Sequence, residues 1–413
     1  MNSLQSGRKG KRVAIIGAGP GGLSAGIALH QAGFDVKIFE RHETIKPLGG
    51  AIILNAIGIN ILRSYGVKAN DMALTVVQRF RKFDGRERVF QKVDPNLLQK
   101  ANVSGWMAGI MRSDLYERML KKIPEGMIIP NCHFKRYEES DEEIKLYFEN
   151  EKTYTADLLI GADGINSRVR QQLWGRSELK HLGIAVWLGW AEVDGPREEI
   201  VLHHSDVHQF GFAPLIYQGK DCYEWWFVEA CQENQPEPKD IVGYVKERVN
   251  HFVTPVPDII NATKPENLFR WVVKFRDPLD NWSKGRVTIL GDAAHPTSPY
   301  AAYGAGMAIE DGYFLGKYLE NCNLSDIKSV QDGLSNYDKE RVKYTNNVTS
   351  FARTLGRIFH NYPKPIRMLR DFLFDYTKIP NKQINKSMTE EATMLLNTII
   401  ELESKSKGIK QTS

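Results

Sequence analysis

The 413-residue sequence has no apolar run that approaches the ~20 residues of a bilayer span, so an integral membrane protein is not expected. It has only four cysteines, Cys132, Cys222, Cys231 and Cys322, none of them in a CxxC pair. Cys132-His133 finds no second ligand pair elsewhere. A zinc site and a disulfide framework are therefore not expected; free thiols in a reducing cytoplasm are, with no metal. No dense Lys/Arg tract occurs, and a net charge of +5 is small for this length. That argues against nucleic acid as a partner while leaving room for anionic ligands. The basic start with Lys9, Lys11 and Arg12 runs straight into a strand pattern rather than into the apolar segment of a signal peptide. Internal repeats and low-complexity tracts are missing too.

What is present is ordinary globular composition, 42% hydrophobic and 25% charged, over a length that suits one large or two coupled domains. The opening reads as a βαβ unit. Residues 12–16 (RVAII) form a short apolar strand, Gly17–Gly22 a glycine-rich turn, and 23–32 a helix with Ala25, Gly26, Ala28 and Ala32 on a close-packing face. Residues 35–39 form a second strand that ends at Glu40. Helices are expected at 56–66 and 114–123, and strands at 143–148 and 152–160. From about 180 to 275 the chain turns aromatic and β-branched with little helical periodicity, which predicts an antiparallel sheet. Within it, residues 208–217 and 221–229 flank a hairpin turn. An apolar strand returns at 285–290, followed by helices at 305–321, 325–360 and 388–404, with a break near Pro380-Asn381. The amphipathic last helix, Met388 to Leu402, could cap the fold, dimerise or lie on a membrane surface.

Gly17-Ala18-Gly19-Pro20-Gly21-Gly22 fits GxGxxG between a strand and a helix. Gly17 permits the tight turn, Gly19 lets the backbone approach a diphosphate, and Gly22 lets the helix pack on the sheet. The helix N-terminus offers unpaired N–H groups to the phosphates. Glu40 can accept both hydroxyls of a ribose, and an acid there disfavours a 2′-phosphate, so the site suits FAD or NAD. Arg41 either contacts the adenosine half or is an exposed surface residue.

Two further stretches discriminate between those cofactors. Residues 157–170 read DLLIGADGINSRVR, and 290–296 read LGDAAHP, with Pro299 and then Ala305-Gly306 following. Together with GxGxxG, in this order, they resemble the FAD-dependent aromatic-ring hydroxylases, the class A flavoprotein monooxygenases that include salicylate hydroxylase. The resemblance runs from residue 12 to about 360. It implies an α/β fold: a Rossmann-like FAD-binding domain (1–175, continued at 281–360), an inserted antiparallel β-sheet substrate domain (176–280) and a helical C-terminus (361–413). It implies FAD contacts from Gly291 and Asp292, with Asp292 on the ribityl hydroxyls. By the same resemblance Asp163 is expected to touch a ribose or fix a loop near the diphosphate, Arg112 to reach the adenosine and ribityl region or instead to pair with Asp114 or Glu117 at a helix start, and Gly49-Gly50-Ala51 with Asn55 to pass the flavin ring. Pro299 is expected, by the resemblance, over that ring. His295 is expected to pack or cap, and Arg170 is either a cofactor contact or a structural ion pair. The family's G-Q-G-x-N turn departs here to Ala302-Tyr303-Gly304-Ala305-Gly306, with Gly304 kept. In the family this loop, including Gly304 and Ala305, gives backbone N–H groups to the pyrimidine edge of the flavin.

The chemistry implied by the resemblance is hydride transfer from NADH or NADPH to flavin, capture of O2 as a C4a-hydroperoxide, and oxygen transfer to an electron-rich aromatic or polyketide-like small molecule. The β-rich insertion is expected to supply the substrate ceiling, with candidates Trp187, Phe210, Phe212 and Trp226. By strand alternation His208, Phe210 and Phe212 share one face. His208 and Tyr300 are the candidate acid–base groups, and His203 and His204 are expected at a surface edge. The same frame also suits an epoxidase or an antibiotic-inactivating oxygenase. A halogenase is disfavoured because Trp187-Leu188-Gly189-Trp190 lacks the WxWxIP pattern. A non-oxygenating flavin reductase and a non-catalytic flavin carrier remain, and either a monomer or a homodimer is compatible.

Overall fold

The computed structural model describes residues 4, 7–44, 50–69, 71–298, 300 and 304–410. Its centre is a five-stranded parallel sheet in the order Val287–Ile289, Leu158–Gly161, Arg12–Ile16, Asp35–Phe39, Ile128–Ile129. Val13, Ala14, Ile15 and Ile16 are all buried, as a strand covered on both faces requires. The first helix, Pro20–Gln31, crosses the helix Gly304–Leu319 at short range. A Cβ at Gly312 would lie 2.4 Å from the Ala25 nitrogen, and one at Gly316 would lie 2.5 Å from the Ala28 Cβ. The small-residue face expected of the first helix is thus matched by two glycines on its partner.

The expected strand 152–160 is two strands. Thr153–Ala156 joins an antiparallel three-stranded sheet, and Leu158–Gly161 joins the parallel one. Asp157 separates them. Its carboxylate accepts hydrogen bonds from the backbone N–H of Gly10 (2.7 Å) and of Arg12 (2.9 Å) and pairs with the Arg12 guanidinium at 2.7 Å. The chain passes from one sheet to the other at this buried pair.

The β-rich segment forms a seven-stranded sheet in the order Leu268–Phe275, Lys180–Ala191, Lys220–Ala230, Gln209–Tyr217, Glu199–His204, Val77–Lys82, Glu87–Lys92. The predicted hairpin is present, with Gln218 and Gly219 both at positive φ in its turn. Two features were not anticipated. Strands from 77–92 extend the sheet through a parallel pairing of Val77–Lys82 with Glu199–His204. Helices Ile241–Val249 and Val256–Ala262 cover its back face. These additions overturn the expectation that His203 and His204 sit at an edge: their relative exposures are 0% and 2%.

Beyond the helix Ile327–Gly356 the chain makes a π-helical turn, Arg357–Asn361, and then, in the segment expected to be helical but without assigned bounds, a helix Lys364–Tyr376 before the last helix, Ile379–Lys410. The break expected at Pro380-Asn381 falls earlier, because Pro380 fits the first turn of a helix. No helix among the described residues is long and apolar enough to cross a membrane.

Burial pushes the imidazoles of His203 and His208 down to about 4, with Arg81 adding to the shift for His203 and Arg248 and His251 for His208. The unfolded chain, with ordinary histidines, therefore binds more protons than the folded one between about pH 6.5 and 4. Stability should be fully present above that window and fall on acidification, by roughly 1.4 kcal/mol per pH unit for each such group. Urea midpoints measured from pH 7.5 to 4.5 should fall for the wild type and fall less steeply for His203→Phe; identical slopes would refute the assignment.

Candidate active site

The turn after the first strand is shaped by contacts that only glycine allows. Gly17 has φ +104°, and a Cβ there would lie 2.4 Å from the Ala162 carbonyl oxygen. A Cβ at Gly22 would lie 2.0 Å from the Gly17 carbonyl oxygen. Gly19 differs. It has φ −68°, and a Cβ there would meet only the Tyr116 hydroxyl, at 3.8 Å. That position faces open space at the N-terminus of Pro20–Gln31, whose cap carries no side-chain hydrogen bond. Glu40 sits beside it, accepting from the Ala18 N–H at 3.0 Å and from the His42 N–H at 3.0 Å. Arg41 is exposed and donates to His42.

From this turn a cavity of about 410 Å³ runs to the large sheet, a size suited to a cofactor or small-molecule site. Its walls include Gly19–Gly22, Ala51–Ile53, Arg112, Tyr116, Gly164, Gly291-Asp292 and Gly304-Ala305. Its ceiling is the front face of the large sheet, with Leu188, Leu202, Gln209, Glu224, Trp226, Phe269 and Trp271. Gly50 supports the wall by accepting from the Arg112 N–H at 3.1 Å. Asp292 is accessible from the cavity but deep in protein, so burial pushes its carboxyl up while His295 and Arg112 pull it down. An uncapped helix N-terminus, a glycine at the point of closest approach, a carboxylate at the end of the second strand and an acid at the far turn together fit FAD, stretched along the wall.

The GDAAH turn is pinned from behind. The Gly291 N–H donates to Asp311 at 3.0 Å, and the His295 Nε2 lies 2.5 Å from the same carboxylate oxygen. Arg341 Nε donates to the other Asp311 oxygen at 2.8 Å, and its Nη2 to Glu310 at 2.9 Å. Glu310 in turn accepts from Asn55 at 3.2 Å. Burial pushes the Asp311 carboxyl up, but His295, Arg341 and the Gly291 N–H outweigh it and hold it below the ordinary value. His295 is thus a structural partner of Asp311. Arg170 makes no carboxylate pair in this turn; it donates to the carbonyls of Ala293 and Ala294 at 3.0 and 2.7 Å and to that of Asp277. Asp163 accepts from the backbone N–H of Arg168 at 2.7 Å and of Val169, so it fixes the loop rather than lining the cavity.

The structure brings Gly19, Gly22, Ala51, Arg112, Asp292, Gly304, Ala305, Trp226 and Tyr300 onto one cavity. Pro299, Ala302 and Tyr303 lie outside the described residues, as does Gly49. Four expected ceiling or acid–base residues are elsewhere. Trp187, Phe210 and Phe212 are packed with Val245, Phe252 and Ile259 behind the sheet, and the ring of His208 lies 5.2 Å from Phe227 on that same side. Alternation correctly put His208, Phe210 and Phe212 on one face, but it is the face that helices 241–262 bury. The cavity takes the intervening positions. The small residues among them were a usable signal: a Cβ at Gly211 would lie 2.2 Å from the Trp226 indole, which lies over it. Glu224, Gln209, Tyr116 and His360 were also missed. Glu224 could have been noticed as a lone acid within the apolar run Tyr223–Val228.

A family model described as an FAD binding domain matches residues 11–352. The chain belongs to this family, that of the FAD-dependent class A flavoprotein monooxygenases. It is similar to aurachin C monooxygenase/isomerase of Stigmatella aurantiaca, with 26% identity over 85% of this chain and 90% of that one. It is 28% identical to 3-hydroxybenzoate 6-hydroxylase of Polaromonas naphthalenivorans over 84% of this chain and 88% of that one. Among solved structures, Klebsiella pneumoniae HpxO complexed with FAD and uric acid superposes with a TM-score of 0.82 at 23% identity, covering 94% of this chain and 98% of that one, and so shares the fold.

Gly19→Val should fold normally, since its Cβ meets no backbone, yet should purify with less than a tenth of the wild-type flavin; full flavin absorbance at 450 nm would contradict the assigned diphosphate path. Asp311→Asn leaves Arg341 with one carboxylate partner and should lower stability by about 3 kcal/mol in urea unfolding, with an unchanged midpoint as the contrary result.

Proposed function

We propose that this protein is an NAD(P)H- and O2-dependent monooxygenase that oxygenates an aromatic or otherwise electron-rich small molecule. The observation that carries this reading is the continuity of one cavity from the dinucleotide turn at Gly19 to an apolar, aromatic ceiling of Trp226, Phe269 and Trp271. FAD, when bound and reduced by NADH or NADPH, supplies the activation of O2. The chain binds and orients. Gly19, Glu40, Arg112 and Asp292 would hold the cofactor along one wall, and the ceiling would press a planar substrate toward it and exclude water.

Tyr300 is the polar group proposed to orient the substrate. Its hydroxyl lies 2.5 Å from the His360 Nε2, and the His360 Nδ1 lies 2.9 Å from the Val207 carbonyl oxygen. A carbonyl partner requires the proton on Nδ1, so in the neutral ring Nε2 accepts and Tyr300 donates. Burial pushes the His360 imidazole down to about 3, which keeps it neutral. With its own proton committed to His360, the Tyr300 oxygen is left to accept from a substrate hydroxyl or N–H. His208 packs against Phe227 and bears on this arrangement through its charge, which adds to the lowering of His360.

The test is oxygen uptake with NADH and with NADPH against phenols, quinolones, polyketides and isoprenoids, with product analysis. One compound class should stimulate both uptake and NAD(P)H oxidation and gain an oxygen atom. Tyr300→Phe should raise KM or divert flux to hydrogen peroxide by about tenfold, an effect of about 1.4 kcal/mol. Stimulated turnover without O2 would indicate a reductase. Bound FAD that no NAD(P)H reduces would indicate a flavin carrier.

A further inference from the structure

Glu224 lies on the strand Lys220–Ala230, opposite Trp190 on one neighbouring strand and Ala213 on the other. It lines the cavity, is only 5% exposed, and its Oε1 has no hydrogen-bond partner. From this placement we infer that the Glu224 carboxyl pairs with a ring N–H and an adjacent C=O of an uncharged heteroaromatic substrate, a cyclic lactam or its hydroxy-imine tautomer. The inference rests on the cavity being the substrate site, as proposed above.

The site is built for a carboxyl group. A Cβ at Gly109 would lie 2.5 Å from the Glu224 Oε1 and 2.6 Å from the Pro214 carbonyl oxygen, so glycine at 109 makes room for that oxygen, which rests against the wall and meets a ligand by rotation of the carboxyl group. A buried carboxylate without a partner is costly, and the group takes a proton instead. Burial accordingly pushes Glu224 well above the ordinary carboxyl range, and Arg112 opposes this without reversing it. A protonated carboxyl offers one O–H donor and one C=O acceptor side by side. The complementary edge is an acceptor C=O beside a donor N–H on a flat ring, which Trp226 and Phe269 can flank. A substrate that left this pair unmatched would keep a buried polar group unsatisfied, and sites of that kind discriminate strongly. An anionic substrate is disfavoured. Arg112 is the one basic side chain on the described lining, and its charge also acts on Asp292, while Glu224 and Asp292 both repel an anion once ionised.

The measurement is binding to the FAD-loaded enzyme, read from the perturbation of flavin absorbance and therefore independent of turnover. The probes are quinolin-2(1H)-one, its N-methyl derivative of nearly the same shape, and benzoate. The wild type should bind the lactam at least tenfold tighter than the N-methyl compound and should bind benzoate weakest. Glu224→Leu should bring the lactam to N-methyl ratio close to one, whereas Glu224→Gln, which keeps a donor and an acceptor, should retain most of it. Flavin content and the unfolding midpoint confirm that both variants are folded; if the Leu variant does not fold, the wild-type ratio together with the Gln variant still decides. Equal affinities in the wild type, a ratio unchanged in Glu224→Leu, benzoate as the tightest ligand, or no binding of the lactam would each overturn the inference. Oxygen uptake with other compounds but no lactam discrimination would sink this inference alone. Glu224-dependent lactam binding without oxygen uptake would instead sink the monooxygenase reading.

Discussion

The arrangement around the cavity depends on one buried cation, Arg341. It is enclosed in protein, yet it holds Glu310 and Asp311 on the neighbouring helix, and through them the Gly291 turn, His295 and Asn55. Asn55 also caps the helix Ala56–Ser64, accepting from the Gly58 N–H. Elements from residues 51–64, 291–295, 304–319 and 327–356 therefore meet at one polar cluster. A buried ion pair is a poor source of net stability but a strict one of geometry, because every misplacement leaves a charge without its partner. The cluster lies behind the wall that would carry the cofactor, and its strictness is passed to Asp292 through the short Gly291–Ala293 turn.

The parallel core was legible in the sequence because its signals are local. The run at 12–16, the glycine turn and the acid at Glu40 all belong to one βαβ unit, and each reports a constraint that its neighbours share. The ends of Thr153–Ala156 and Leu158–Gly161 were not legible, because what divides them is the pairing of Asp157 with Arg12, far away in the chain. The helices at 241–262 were hidden for a related reason. Their buried faces are narrow and are completed by aromatic residues of the sheet behind which they lie.

For the candidate site, alternation established which residues share a face but not which face meets the cavity. Trp187, Phe210 and Phe212 looked like ligand-clasping aromatics and are core residues; the less conspicuous Gln209 lines the cavity, and Gly211 makes room for Trp226, which lines it too. The larger lesson is chemical. Aromatic bulk marks where a protein fills its own space, and small residues interrupted by one isolated acid mark where it leaves space for something else. Tyr300 was recognised as a polar candidate, but its partner His360 comes from a π-helical turn whose position no local pattern announces.

The parallel pairing between Val77–Lys82 and Glu199–His204 has a consequence for how such a protein can be altered. The ceiling is not a cassette. Exchanging the segment 176–280 with that of another enzyme would leave the resident hairpin at 77–92 to accept an unfamiliar strand in register, and any mismatch would uncover a long hydrogen-bonding edge. It would also expose His203 and His204, whose imidazoles burial keeps neutral into acid. Diversification of the ceiling is accordingly easier one side chain at a time on the front face, where a change alters the space offered to a ligand and leaves the seam between the two parts of the chain intact.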